Sequence, residues 1–382
     1  MKENIHIKVN HQVLVWARES LAITRNQASE KTGISAKRLT QLEEGEKPPL
    51  FDELKELSKI YKRTIATLLL VQPPKEKPLP PDRRTINSKA LPTFHEKTIM
   101  AIRKARALAQ SFIELRNELG IEVPKLNFVA SINDRPQEIA GRIRQLLNLS
   151  ELREITNINE ALDAYIEKIE SLGIAVFQLS LTQDGLRGFS ITDDVIPIIG
   201  IKRGGEPSTA KIFTLFHELG HILLNEGGLC DLSEKTNLEI EKWCNAFSAE
   251  VLIPTNEILQ MELVVEQARQ GNKIWNKKEL VTLGTYFHVG PLAILRSLLE
   301  NQLTTAKYYN ERHQAWNKPQ FGRSKHPEGR NVAKETIKEK GRTYISLAFS
   351  AYDKNRIDLK DLSDFLGVKL SYIQKTRQLL NA

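Results

Sequence analysis

Phe213-Thr-Leu-Phe-His217-Glu218-Leu-Gly220-His221-Ile-Leu-Leu224 is an H-E-x-x-H motif set inside an apolar run. On a helix, positions i and i+4 share a face, so His217 and His221 point together at one metal ion. Glu218 follows the first His by one residue, close to the metal but off the ligand axis. A zinc-bound water needs a base at that point to take its proton. The apolar flanks, Phe213, Phe216, Ile222, Leu223 and Leu224, suit a buried helix in a water-poor cleft. The competing reading is a core helix with two ordinary histidines.

Catalytic zinc usually has three protein ligands and one open position, so a third ligand is sought downstream. The segment from Asn237 to Ile253 reads as a helix ended by Pro254. Glu241 and Asn245 are four apart and share a face. Glu241 is assigned as the third ligand, and Asn245 as a group holding a metal-binding His or the Glu in place. Glu234, Glu239 and Glu250 are rival carboxylates. Cys244 points away from Glu241 by helix phase and reads as a small buried residue. A purely structural zinc is disfavoured, because two His and one Glu leave a coordination position open.

Upstream of the motif the apolar period shortens. Residues 174–179, 186–191 and 195–201 read as three strands, with a turn at Asp193-Asp194 and with Pro197 pointing to an edge position for the third. An edge strand beside the metal can hold an extended substrate backbone. Helices are expected over 93–119, ended by Gly120, and at about 136–148 and 158–171, with Asp134 as a possible cap. Downstream, Tyr286 and His288 are candidates for donating a hydrogen bond to a transition-state oxyanion.

Residues 10–70 read as short helices with tight turns. Gly33-Ile34-Ser35 is a turn in which Ser35 can cap the helix that runs from about Ala36 to Leu42. Further helices follow at Asp52–Tyr61 and Thr64–Leu70. Helix, glycine turn, helix is the spacing of a helix-turn-helix, which would set the start of the Ala36 helix in a DNA major groove. Arg25, Lys37, Arg38 and Gln41 are then the candidate DNA contacts. The competing reading is a helical bundle that dimerises or grips another protein. Residues 72–92 are Pro-rich and read as a linker.

The chain is 382 residues long with 41% hydrophobic and 27% charged residues, enough for two or three soluble domains. It shows no membrane-length apolar stretch and no secretory signal. Two cysteines are too few for a disulfide framework, so a cytoplasmic protein with no membrane partner is expected. Residues 317–382 carry 14 Lys/Arg against 7 Asp/Glu, most of the net charge of +8. A basic tail suits nucleic acid, an acidic partner or a solvated linker. Residues 317–342 read as a basic, irregular linker. Residues 343–382 read as a small helical domain in which Gly367-Val-Lys-Leu could form a second helix-turn-helix-like turn.

Two resemblances sit on these residues. Arg18, Gly33-Ile-Ser and Leu42-Glu43-Glu-Gly45 followed by Pro48 resemble the XRE-type helix-turn-helix, which implies an Arg18–Glu43 ion pair. Arg25 and Ser29 stand where Gln and Ala are common. Arg187-Gly-Phe, Val195-Ile-Pro-Ile-Ile, residues 213–223 and residues 241–254 resemble the ImmA/IrrE metallopeptidases, some of which carry an N-terminal XRE-type domain and a linker like Leu79-Pro-Pro-Asp82-Arg-Arg84. Arg83 replaces the usual aromatic there, Lys202 stands where Asn is common, and Gly290 where Ser is. That resemblance implies Zn2+ held by His217, His221 and Glu241, with Glu218 as base, in a gluzincin-like endopeptidase. It also implies that the substrate is a specific regulator, commonly a helix-turn-helix repressor or an antitoxin-like protein, in stress-response, toxin–antitoxin or phage-defence settings.

The expected fold class is therefore α+β and mostly helical. A helix-turn-helix bundle (1–71) and linker (72–92) precede a zincin-like domain (93–316) with a small three-stranded sheet and the HExxH helix. A basic linker (317–342) and a helical tail (343–382) follow. The alternative function is a DNA-binding regulator or antitoxin whose zincin-like domain senses or holds a partner, such as a toxin, without general proteolysis.

Overall fold

The computed structural model describes residues 5–77, 79, 95–182, 186–192, 194–225, 234–316 and 331–381. Cys230, Asp193, most of the Pro-rich stretch including the 82–84 match, and residues 317–330 lie outside them, as does the side chain of Glu234. The chain divides into two compact units, Met1–Met100 and Ala101–Ala382. Among the described residues no helix is long and apolar enough to cross a membrane.

The first unit holds five helices: α1 (His11–Glu19), α2 (Arg25–Thr32), α3 (Ala36–Glu43), α4 (Phe51–Ile60) and α5 (Ile65–Leu68). Local chemistry sets their ends. Thr24 and Gln27 form a capping box before α2. Gly33 stops α2 in the left-handed conformation, φ 73°, which costs glycine nothing. Ser35 accepts from the Arg38 amide to start α3. Leu14, Ala17, Leu39, Leu42, Leu54 and Leu57 are buried together in its core. Each fully buried side chain of Leu size stabilises by about 1.5–3 kcal/mol. Arg18 Nε lies 2.7 Å from Glu43 Oε1 and Nη2 lies 3.0 Å from Oε2, the ion pair that the resemblance implies. Burial pushes the Glu43 carboxyl up, but its hydrogen bonds to Arg18 and Arg25 outweigh this and hold it below the usual carboxylate range.

Then follow α6 (Glu96–Glu118), whose first five residues fall in the first unit, and, in the second, α7 (Pro136–Leu146), a 3-10 turn (Leu149–Glu154) and α8 (Ile158–Glu170). Gly120, φ +65°, follows α6. Asp134 does not cap α7. Its carboxylate accepts from the Ser131 amide, and its carbonyl accepts from Trp243 Nε1.

The sheet comprises β1 (Ala175–Leu179), β2 (Gly188–Ile191) and β3 (Ile198–Lys202), in the order β1-β3-β2. β3 pairs parallel with β1 and antiparallel with β2. The edge position expected for the third strand is thus corrected: β3 is central and β2 is an outer strand. Pro197 precedes β3 and contributes only its carbonyl, which accepts from the Ala175 amide, so its missing N–H costs the ladder nothing. Opposite Phe189 stands Gly200. A Cβ at Gly200 would lie 2.3 Å from the Phe189 ring, so the ring lies over the glycine.

Two helices carry the motif residues, α9 (Ser208–Leu223) and α10 (Glu234–Leu252). Then come α11 (Thr255–Gln260), α12 (Glu262–Arg269), α13 (Lys277–Phe287), α14 (Pro291–Glu300) and α15 (Ala306–Trp316). The tail forms α16 (Val332–Lys340), α17 (Arg342–Asp353), α18 (Leu359–Leu366) and α19 (Leu370–Leu380). Residues 332–340 were expected to be irregular, because their charge hides a short apolar face; Ala333 is fully buried. α16 packs on β1 and on α19, and α17 on α8. β1 is buried along its whole length.

Glu170 lies under this tail, 2% exposed. Burial pushes its carboxyl up to about 8 against the hydrogen bonds from Thr343 and the Val176 amide. The folded state therefore keeps a proton that the unfolded chain releases near the ordinary value, and stability falls as pH rises from about 4.5 towards 8. Glu170→Gln should flatten that fall. Thermal unfolding across this pH range should show the variant gaining on the parent as pH rises.

Candidate metal centre

α9 is largely enclosed by its neighbours: eleven of its residues are buried, Lys211, Thr214, Glu218 and His221 among them. It is pinned to the sheet by a buried cation. Lys211 Nζ donates to Gln178 Oε1 at 3.2 Å and to the Arg203 carbonyl at 2.6 Å. Burial pulls the Lys211 ammonium below its ordinary value.

α10 packs against α9 where Gly220 offers no side chain. A Cβ there would lie 3.1 Å from Cys244 Sγ and 3.3 Å from Phe247 Cδ1. This close approach brings Glu241 to the two histidines. His217 Nε2 lies 3.1 Å from Glu241 Oε2, and His221 Nε2 lies 3.4 Å from Oε1. The two Nε2 atoms are 3.2 Å apart. Tetrahedral zinc with ligand bonds of about 2.0–2.1 Å separates its ligand atoms by about 3.3 Å, so this triangle has the size that the metal requires. His217, His221 and Glu241 form the group of potential metal-holding side chains found among the described residues.

The far sides of the rings agree. His217 Nδ1 lies 3.1 Å from Asn245 Oδ1, an acceptor, so the ring donates there and keeps the lone pair on Nε2. His221 Nδ1 lies 3.5 Å from the buried Cys244 Sγ. Cys244 is fully buried, as expected, but it does not point away from Glu241: three residues further along α10, it lies on the same side of the helix. Burial pulls His217 down, but Glu241 and Glu218 outweigh it and raise the imidazole above its ordinary value. Burial likewise pushes Glu241 up, and the two histidines more than reverse this, leaving it well below the usual carboxylate range.

Glu218 is 7% exposed and faces β2. A Cβ at Gly188 would sit 3.0 Å from Glu218 Oε1 and 2.6 Å from Thr214 Cγ2. The glycine therefore lets the outer strand lie directly against the motif helix. A groove of about 890 Å3 opens beside the cluster, lined by Arg187, Phe213, Lys242, Asn245, Ala249 and Leu292 among others. Phe213 stacks on His217, and Asn245 bonds to it, so the groove leads to the histidines.

The other expected residues have other partners. Glu239 is exposed, and Glu250 accepts from the amide and hydroxyl of Thr255. The oxyanion-donor expectation is corrected for His288, both of whose ring nitrogens are engaged, one with Tyr165 Oη at 3.2 Å and the other with the Ile155 carbonyl at 2.6 Å. Tyr286 is tied to Glu257 and stacks under Arg153. In the first unit, Arg25 Nε pairs with Glu43 at 2.7 Å. Arg38 is held bidentately by Glu53 and by the Pro48 carbonyl. Lys37 is exposed and Gln41 half-buried.

Residues 169–299 match the family model of the IrrE N-terminal-like domain, peptidase family M78, and residues 14–68 match that of a helix-turn-helix. No curated protein and no solved structure matches the chain. The five residues His217, Glu218, His221, Glu241 and Asn245 all fall inside the first match.

Gly188→Ala should push Thr214 and Glu218 off their positions. Overpacking of this kind costs about 1–3 kcal/mol, so the unfolding midpoint in denaturant should fall, with Gly204→Ala, where a Cβ meets open space, as the neutral control.

Proposed function

We propose that this chain, an IrrE-like metallopeptidase domain carried behind an XRE-type helix-turn-helix domain, is a zinc-dependent endopeptidase of HExxH, gluzincin-like type that cleaves a specific regulatory protein. The observation that carries the reading is the convergence of His217, His221 and Glu241 at 3.1–3.4 Å, with Glu218 beside them on the same helix.

His217 and His221 would hold a zinc ion through Nε2 and Glu241 would hold it through its carboxylate; when bound, the ion would supply Lewis acidity. Glu218 takes the proton from the attacking water and delivers it to the leaving amide nitrogen. Asn245 fixes the His217 tautomer, the role that partners of metal-binding histidines usually fill. β2, an outer strand lying against Glu218, offers the edge away from β3 to an extended substrate backbone. The apolar floor of the groove, Ala249 and Leu292 among its residues, accepts a substrate side chain.

The helix-turn-helix domain in the same chain supports a regulator, such as a helix-turn-helix repressor or antitoxin-like protein, as the substrate. Lys37 and Gln41 are the residues of α3 proposed to reach DNA, because Arg25 and Arg38 are committed to Glu43 and Glu53.

Co-expression of the chain with products of its neighbouring genes tests the mechanism. The parent should cleave one regulator, whereas Glu218→Gln should leave it intact yet bind zinc as the parent does. Cleavage by the Glu218→Gln variant would rule the mechanism out. Asn245→Ala should retain the fold and lose about 10–100-fold in zinc affinity, read by chelator competition.

A further inference from the structure

The tail repeats the helix boundaries of the first unit. Adding 334 to the last residue of α1, to both ends of α2 and to the first residue of α3 gives the last residue of α17, both ends of α18 and the first residue of α19. The caps repeat as well. Thr24 with Gln27 boxes the start of α2, and Asp358 with Asp361 boxes the start of α18. Gly33 and Gly367 end those helices in the left-handed conformation, φ 73° and 64°. Ala17 and Ala351, and Ala28 and Leu362, are buried at equivalent positions. An ion pair ties the third helix to the first in both places, Glu43 to Arg18 and Arg377 to Asp353. Glu43 and Arg377 are equivalent, with the charge reversed. The tail lies outside both family matches.

In such a unit the third helix is the one that enters the major groove, and its N-terminal residues meet base edges. α19 begins with an open face. Lys369, Ser371, Gln374, Lys375 and Gln378 are exposed, and Lys360 is exposed in the first turn of α18. The acids around them are largely committed. Asp353 pairs with Arg377, and Asp358 and Asp361 accept from each other's amides. Cations dominate what remains, and they match a polyanion.

On α3 Arg38 is held by Glu53 and Lys37 is the exposed cation, whereas α19 has Lys369 at its cap and Lys375 in its second turn, both exposed. We infer that α17–α19 is a second helix-turn-helix that docks on duplex DNA. Ser371, Gln374 and Lys375 face base edges, and Lys360 and Lys369 lie on phosphates. This site is independent of the peptidase reading.

The test uses the full chain and a fluorescein-labelled mixed-sequence duplex of about 30 base pairs, followed by anisotropy between about 50 and 200 mM salt. The variants are the triple Lys360→Glu, Lys369→Glu, Lys375→Glu and the milder Lys369→Gln, Lys375→Gln, each checked for an unchanged unfolding midpoint. Each lost phosphate contact should reduce the slope of log affinity on log salt by about 0.9. The triple variant, which removes both phosphate contacts, should therefore lose about 2 units of slope and at least about tenfold in affinity at low salt. The double variant should lose about half as much, while Lys37→Glu on α3 leaves the tail's contribution in place. Parent-like slope and affinity in the folded variants would overturn the proposal. So would a parent that binds no duplex, or one that binds a single strand of the same length as tightly.

Discussion

Two imidazole nitrogens and a carboxylate held within 3.4 Å of one another are a demanding arrangement. Lone pairs at that separation repel unless a cation or a proton lies between them. The surrounding fold supplies that geometry from two helices. α9 presents both histidines on one face. α10 reaches them because Gly220 leaves room for Cys244 and Phe247. Trp243, one turn away, anchors α10 by donating to the Asp134 carbonyl, and Lys211 anchors α9 to the sheet. The rest of the unit can be understood as the frame that keeps these two helices at contact distance.

Much of this was legible in the sequence because the governing chemistry is local. A four-residue spacing brings His217 and His221 together on any helix. The αL glycine and the Ser35 cap announce the turn between α2 and α3. The third strand shows as a β-branched run and the first two as short apolar stretches, and the Arg18–Glu43 pair is carried by the helix-turn-helix resemblance. Glu241 came from spacing with rivals left open, and the structure puts its carboxylate beside both histidines, whereas Glu250 is occupied at the helix end by Thr255.

What was not legible depends on partners distant in sequence. Pro197 suggested an edge strand, but it sits one residue before β3, where no ladder N–H is needed. Tyr286 and His288 were plausible donors until Tyr165, Ile155, Glu257 and Arg153 were found to engage them. Arg25 and Arg38 looked like free cations, although acidic partners 18 and 15 residues away, respectively, hold them. α16 was hidden by its charge. Its role as a cover for β1 emerges only when the strand's second buried face is seen.

The most direct measurement is metal content by mass spectrometry on the purified chain and on Glu241→Ala. One zinc per chain in the parent and clear loss in the variant is the predicted result. A parent that takes up no zinc even with the metal in excess, or a Glu241→Ala variant that keeps its full complement, would contradict the account.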